Sequence, residues 1–150
     1  MSLIERVQQE IMQAMKAKET LRLDVLRGMK TALKNKEIEL VRPLNPSEEV
    51  QVVRTLVKQR RDSIEQFARG GRQDLVEREE AEARILGAYL PAAVDVEEIR
   101  RVVEETIGEL QTAGTKDVGR VMKTVMAKLA GRNVDGRAVN EMVRARLAGG

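Results

Sequence analysis

Lys116, Arg120 and Lys123 recur at spacings of four and three residues, and Lys128, Arg132, Asn133 and Arg137 follow in the same stretch. Cations spaced this way share one face of a helix. A face of that kind meets a polyanion through phosphate contacts. Arg132, Asn133 and Arg137 surround Gly136, where a helix start would turn backbone N–H groups toward a phosphate oxygen. An arginine there can grip the same group with two hydrogen bonds. From 116 to 150 there are eight Lys or Arg against three Asp or Glu, a balance of +5, while 95–115 has two against six, a balance of −4. The whole chain is only +3, so its average hides a sharp separation of charge.

A second set of cations lies earlier. Arg27, Lys30 and Lys34 share a face at i, i+3 and i+7, and Arg54, Lys58 and Arg61 repeat that spacing. A charged helix face is by itself ordinary solvated surface. The earlier groups also have the acidic run from Asp74 to Glu82 to answer, five acids to one Arg. The expectation therefore falls on the carboxyl-terminal group as the RNA-binding face, with the earlier groups secondary. One Phe, one Tyr and no Trp leave almost no platform for stacking bases, so an RNA would be read by shape and phosphates.

Catalysis finds few parts. With no His and no Cys the chain lacks the usual general base, the commonest metal ligands and a thiolate nucleophile. No P-loop or nucleophile motif is present, so no catalytic residue, cofactor or metal is expected. One group of charges lies where apolar residues belong. Val50, Val53, Val57, Arg60, Ile64 and Phe67 follow a heptad line, and Leu75, Glu79, Glu82, Leu86 and Tyr89 follow another. A lone charge on such a face is costly, which predicts a structural ion pair of Arg60 with Glu79 or Glu82. The alternative is a carboxylate pair that binds a metal or moves protons.

The elements that must position these residues are helical throughout, with no period-two strand. Ser2 and Glu5 open a helix carrying Ile4, Val7, Ile11 and Ala14. Thr20 starts a second with Leu23, Leu26, Met29, Leu33 and Leu40, stopped by Pro43. Asn45, Pro46 and Glu48 start a third that runs to Gly70-Gly71, and Asp74 with Glu77 opens a fourth that closes at Tyr89-Leu90-Pro91. Asp95 with Glu98 caps a helix through Val96, Ile99, Val103, Ile107 and Leu110. Thr115 starts one with Val118, Met122, Val125 and Leu129, and Asp135 one with Val139, Met142, Val143 and Leu147. The expected fold is all-α: an N-terminal four-helix domain over 1–90, a hinge at 91–94, and a small C-terminal three-helix domain over 95–150. Gly28, inside a helix, costs roughly 1 kcal/mol relative to Ala, and close packing of a neighbour would explain it. Gly119 admits packing or approach of an RNA backbone, and Met122, Met126 and Met142 read as core fillers.

The chain resembles the YqeY family, stand-alone relatives of the tail domain of GatB, a subunit of the tRNA-dependent amidotransferase. Three stretches carry the resemblance: Leu26-Arg27 with Lys34, Glu37 and Ile38; Arg60 through Arg72 with Glu79, Glu82 and Tyr89-Leu90-Pro91; and Gly119-Arg120-Val121-Met122 through Asp135-Gly136-Arg137. It implies a helical amino-terminal domain, a three-helix carboxyl-terminal domain, and a tail that holds the body of a tRNA while other domains do the chemistry. The expected function is a non-catalytic accessory that binds tRNA or another structured RNA, in contact with an aminoacyl-tRNA-handling complex. Any carbon–nitrogen ligase activity would belong to that complex. The alternative is a helical protein–protein adapter without an RNA role. No apolar run approaches bilayer length and no apolar leader core is visible, so a soluble, cytoplasmic protein with no membrane partner is expected.

Overall fold

A computed structural model of the chain describes residues 1–111 and 114–149. Seven α-helices and no strand occur among them, and the chain divides into two compact units, Met1–Pro91 and Ala92–Gly150.

The first unit holds α1 (Leu3–Lys16), α2 (Thr20–Leu40), α3 (Pro46–Arg69) and α4 (Gln73–Gly87). Ser2 caps α1 by accepting the Glu5 N–H. Asn45 and Glu48 form a reciprocal capping box at α3, with Pro46 in its first turn. Arg42 clamps the Glu48 carboxylate through two hydrogen bonds of 2.7 Å and holds that carboxyl down at about 2. The chain thus enters α3 at a fixed angle. Gly71, at φ +70°, makes the reversal into α4 that a side chain would strain.

Helix α2 is the centre of this unit and packs against α1, α3 and α4. Its Leu26, Met29 and Leu33 are fully buried among Val7, Val53, Val57 and Leu86. Each helix thereby covers an apolar stripe that it could not cover alone.

The second unit holds α5 (Val96–Leu110), α6 (Val118–Lys128) and α7 (Gly136–Ala148), each in contact with the other two. Its core is aliphatic, built on Val103, Val121, Val125, Val139 and Val143, with Met122, Met126 and Met142 filling its edges. The stretch 91–94, expected as a hinge, is divided. Pro91 closes the first unit, while Val94 is buried in the second and its N–H donates to the Asn133 carbonyl at 2.9 Å.

Several local expectations are corrected. Asp74 is no N-cap: it lies inside the first turn of α4, and its carboxylate accepts two hydrogen bonds from the Arg72 guanidinium. Val76 rather than Leu75 is buried, and Leu75 is half-buried. Val96 points outward, at 58% exposure, since the first turn of α5 runs clear of the core. Asp95 takes the Glu97 N–H, and Glu98 turns to Arg132. The helix expected to start at Thr115 begins as a short 3-10 turn, Thr115–Asp117, and becomes α-helical at Val118. The Thr115 side chain lies outside the described residues.

The glycine expectation fails in an instructive way. No atom lies within 4 Å of a Cβ built on Gly28 or on Gly119, so neither admits a closely packed neighbour. Gly28 sits on an exposed helix face and costs α2 its backbone entropy without a packing return. Gly28→Ala should therefore stabilise the first unit by about 1 kcal/mol. A thermal unfolding curve should show a rise of roughly 4–8 °C in the transition of this unit; a fall would mean that this face is covered.

Candidate nucleic-acid interface

The charge separation in the second unit is largely resolved by pairing within it. Lys128 Nζ donates to Glu109 Oε2 at 2.8 Å and to Thr106 Oγ1 at 3.0 Å. Thr106 is completely buried and donates to the Val102 carbonyl, so the ammonium completes a buried polar network. Arg132 meets Glu98 through both terminal nitrogens at 3.2 and 3.3 Å, and Arg146 reaches Glu104 at 2.6 Å. Three acids of the acidic segment, all at least partly exposed, are thus answered by three of the later cations.

What remains is smaller and better defined. Lys116, Arg120 and Lys123 are exposed and have no partner among the described residues. Arg137 is mostly in water, with a loose 3.9 Å contact to Glu141. Asn133 is half-buried, and its carbonyl is already used by Val94. The helix start at Gly136 differs from expectation. Asp135 Oδ1 accepts the Arg137 N–H at 3.0 Å, so a carboxylate already occupies the place where a phosphate would bind. Any anion must be held there by side chains.

In the first unit Arg27, Lys30 and Lys34 line an open groove of about 480 Å³ together with Ile11, Thr31 and Asn35. None of the three cations has a partner among the described residues, and Lys58 and Arg61 are likewise exposed without one. Arg54 is half-buried and partnered. Asp74 to Glu82 do not answer Arg27, Lys30 or Lys34, because the acids of that run that pair across helices meet Arg60, and Arg78 reaches back to Asp24.

Arg60 Nη1 donates to Glu82 Oε2 at 3.1 Å and lies 3.3 Å from Glu79 Oε2. Glu82 is also approached by Arg78 Nε at 3.5 Å. Glu79 Oε2 is buried and makes no hydrogen bond, so its contact with Arg60 is Coulombic only. Burial pushes the Glu79 carboxyl above the ordinary carboxylate range; Arg60 opposes the shift and the Glu82 charge adds to it. Two carboxylates and one guanidinium between two packed helices make a register-fixing cluster. Among the described residues no group of three or more acidic side chains is gathered for a metal ion.

Sequence reading missed one constellation. Arg6, Glu10, Arg22, Arg84 and Tyr89 line a single open cleft of about 520 Å³ among α1, α2 and α4. Tyr89 Oη donates to Glu10 Oε2 at 2.7 Å, and the Arg6 guanidinium lies over the Tyr89 ring at 4.7 Å from its centre. These partners are up to 79 residues apart in the chain, so no local spacing announces them. The only signal was Tyr89 itself, the one tyrosine of the sequence, just past the end of α4.

Residues 4–147 match the family model described as Yqey-like protein. A protein of Kluyveromyces lactis named altered inheritance of mitochondria protein 41, mitochondrial, is 39% identical over 105 residues, covering 67% of this chain and 57% of the relative. A protein of the same name in Lachancea thermotolerans is 38% identical over 98 residues, covering 63% and 52%. One in Pyrenophora tritici-repentis is 28% identical over 143 residues, covering 93% and 77%. The chain thus spans little more than half the length of the first two relatives.

These names correct the cytoplasmic location expected from composition, because the relatives carrying this sequence pattern are named as mitochondrial. A charged helical composition suits any aqueous compartment and does not select one. The described helices include none long and apolar enough to cross a membrane.

The cluster at Arg60 generates two expectations. Arg60→Met should lower the stability of the first unit by about 2–4 kcal/mol, less than for a dry pair because Arg60 keeps 33% of its side chain in water. Chemical denaturation would measure it, and an unchanged midpoint would remove the cluster from the stability argument. Glu79 has a folded pKa above its unfolded one. Between the two values the folded state holds more protons, so stability falls as pH rises through that window. Glu79→Gln, which mimics the protonated form, should unfold at higher denaturant than the parent at pH 7. It should match the parent at roughly pH 3.5, where Glu79 is protonated in both states. Equal midpoints at both pH values would show that the charge is not penalised.

Proposed function

Because the chain belongs to the Yqey-like family, we propose that it is a non-catalytic accessory protein that binds tRNA or another structured RNA through phosphate contacts. The observation that carries this reading is the free cation set Lys116, Arg120 and Lys123. It remains unpaired in a unit where Lys128, Arg132 and Arg146 all find acids. Cations that merely balance the fold are consumed by it; these three are left to solvent, Arg120 and Lys123 on α6 and Lys116 on the 3-10 turn before it rather than on one helix face with them. Electrostatic attraction of this type is long-ranged, sequence-independent and screened by salt.

The second basic face, Arg27, Lys30 and Lys34, lies along an open groove and supplies another place for a phosphate backbone to run. One Phe, one Tyr and no Trp in the sequence point away from base stacking and toward recognition of shape. Without His or Cys, chemistry on a bound RNA is assigned to a partner complex that handles aminoacyl-tRNA. The resemblance of the sequence to the GatB tail makes an amidotransferase the first such complex to try.

The adapter alternative rests on exposed apolar side chains, Met12 and Met15 on α1 and Ile38 and Val41 at the end of α2.

Titration of the full chain with tRNA, followed by fluorescence anisotropy at low and moderate salt, tests the proposal. The parent should bind with low-micromolar affinity that falls steeply with salt. The combined Lys116→Ala, Arg120→Ala and Lys123→Ala variant should bind at least about tenfold more weakly, with a salt slope smaller by roughly 2–3. Lys128→Ala and Arg132→Ala should lower the melting temperature more than the affinity. Absence of binding at low salt, or equal binding by the triple variant, would transfer the function to the adapter reading.

A further inference from the structure

We propose that the cleft among α1, α2 and α4 binds a phosphomonoester, its phosphoryl group held by the guanidiniums of Arg6, Arg22 and Arg84. The proposal stands apart from the RNA face, since it uses none of the residues assigned to that face.

Three arginines line one cleft whose only acid is Glu10. Arg6 Nε is 3.5 Å from Glu10 Oε1, and Arg22 Nη2 is 3.7 Å from the same oxygen and 3.5 Å from Tyr89 Oη. Arg22 also makes a loose 3.8 Å contact with the exposed Glu19. Arg84 has no partner among the described residues. A guanidinium carries five N–H donors, so Arg6 and Arg22 retain most of theirs after these contacts. Like charges gathered this way repel one another, and the carboxylate present does not balance them. An anion in the cleft would.

Two of the three cations, Arg6 and Arg22, are also restrained. Glu10 is anchored by the Tyr89 hydroxyl, with only 17% of its side chain exposed. It restrains Arg6 and Arg22 together, and the Tyr89 ring supports the Arg6 plane from below. Guanidiniums fixed before binding lose little freedom on taking an anion. Burial, and next the bond to Glu10, push the Tyr89 phenol up to about 12, so it stays a neutral donor and adds no second negative charge.

Shape and charge select the ligand class. A phosphomonoester carries close to two negative charges near neutral pH and offers three acceptor oxygens, which three guanidiniums match better than one carboxylate would. The cleft, at about 520 Å³, has room for more than the phosphoryl group, and Ile85 gives it an apolar wall. A nucleoside monophosphate fits both parts. The same chemistry occurs at the 5′ end of an RNA, so two sources supply it, a free nucleotide and a phosphorylated terminus.

The experiment uses the full chain, labelled with ¹⁵N and titrated with adenosine 5′-monophosphate, inorganic phosphate and adenosine. The monophosphate should bind at least about tenfold more tightly than adenosine, with amide shifts gathered on α1, α2 and α4. Arg84→Glu should weaken it by at least about tenfold, and Arg84→Lys by less. Arg84 is exposed and unpartnered, so the melting temperature of its variants should stay at the parent value; the shift map of the parent decides the matter if it does not.

Two short RNA oligonucleotides, identical except for a 5′-phosphate or 5′-hydroxyl, separate the sources. A preference for the phosphorylated one that Arg84→Glu abolishes assigns an RNA end, and monophosphate binding without it assigns a free nucleotide. Equal binding of adenosine and its monophosphate, shifts gathered on α6, or no binding at millimolar ligand overturns the proposal. The Lys116, Arg120 and Lys123 variant should bind the monophosphate like the parent, so failure here and failure of the RNA reading are told apart.

Discussion

Arg60 stands on the apolar line of α3, and that single placement constrains the first unit. A guanidinium packed between helices must be met by acid from the facing helix, and α4 meets it with Glu79 and Glu82 on its own apolar line. Sliding α4 by one turn would separate them and leave charge facing Leu56, Val57 or Leu86. The register of the α3–α4 hairpin is therefore fixed by electrostatics, while its depth is fixed by Val53, Val57 and Leu86 against α2. Glu79 shows the cost of the arrangement. One of its oxygens is buried without a hydrogen bond, and its acid strength is reduced by burial.

The helices, their approximate ends and the Arg60 contact were legible because they depend on spacing. An apolar stripe, an Asn-Pro-x-Glu start or a Gly-Gly stop declares itself within a few residues. A charge on an apolar line declares a partner as well. What spacing could not say is which cation meets which acid. Arg72 drew Asp74 away from capping α4, and Arg132 drew Glu98 away from α5, because a guanidinium nearby competes with a backbone N–H for the same carboxylate. Gly28 misled for a related reason: glycine in a helix signals either a close neighbour or nothing, and only the third dimension separates the two.

The basic face shows the limit of counting charge along a chain. The −4 of 95–115 and the +5 of 116–150 describe one helical unit whose α5 carboxylates face cations from the last two helices. Once Lys128, Arg132 and Arg146 are taken by that pairing, the cations of 116–150 available to a phosphate shrink to Lys116, Arg120, Lys123, Arg144, which bonds only the neutral Asn140 side chain, and, loosely, Arg137. The Gly136 helix start is withdrawn as well, because Asp135 supplies its own carboxylate. Counting along the sequence gathers the cations of this unit into one group; the structure shows which of them have charge to spare.

The same test separates the two kinds of arginine cluster in this chain. Where one acid answers one cation, as Glu98 answers Arg132, the pair is closed and offers little to a ligand. Where one nearly buried acid restrains two arginines and a third stands free beside them, as Glu10 does in the cleft, the acid acts as a strut that orients cations it cannot neutralise. Tyr89 makes that strut possible, since its hydroxyl satisfies the Glu10 oxygen that would otherwise demand another cation. The chain has one tyrosine, and it spends it there. In a protein this poor in aromatics, a half-buried phenol between a carboxylate and two guanidiniums is hard to account for by packing alone, because Phe would fill the same volume without raising a polar group to be satisfied.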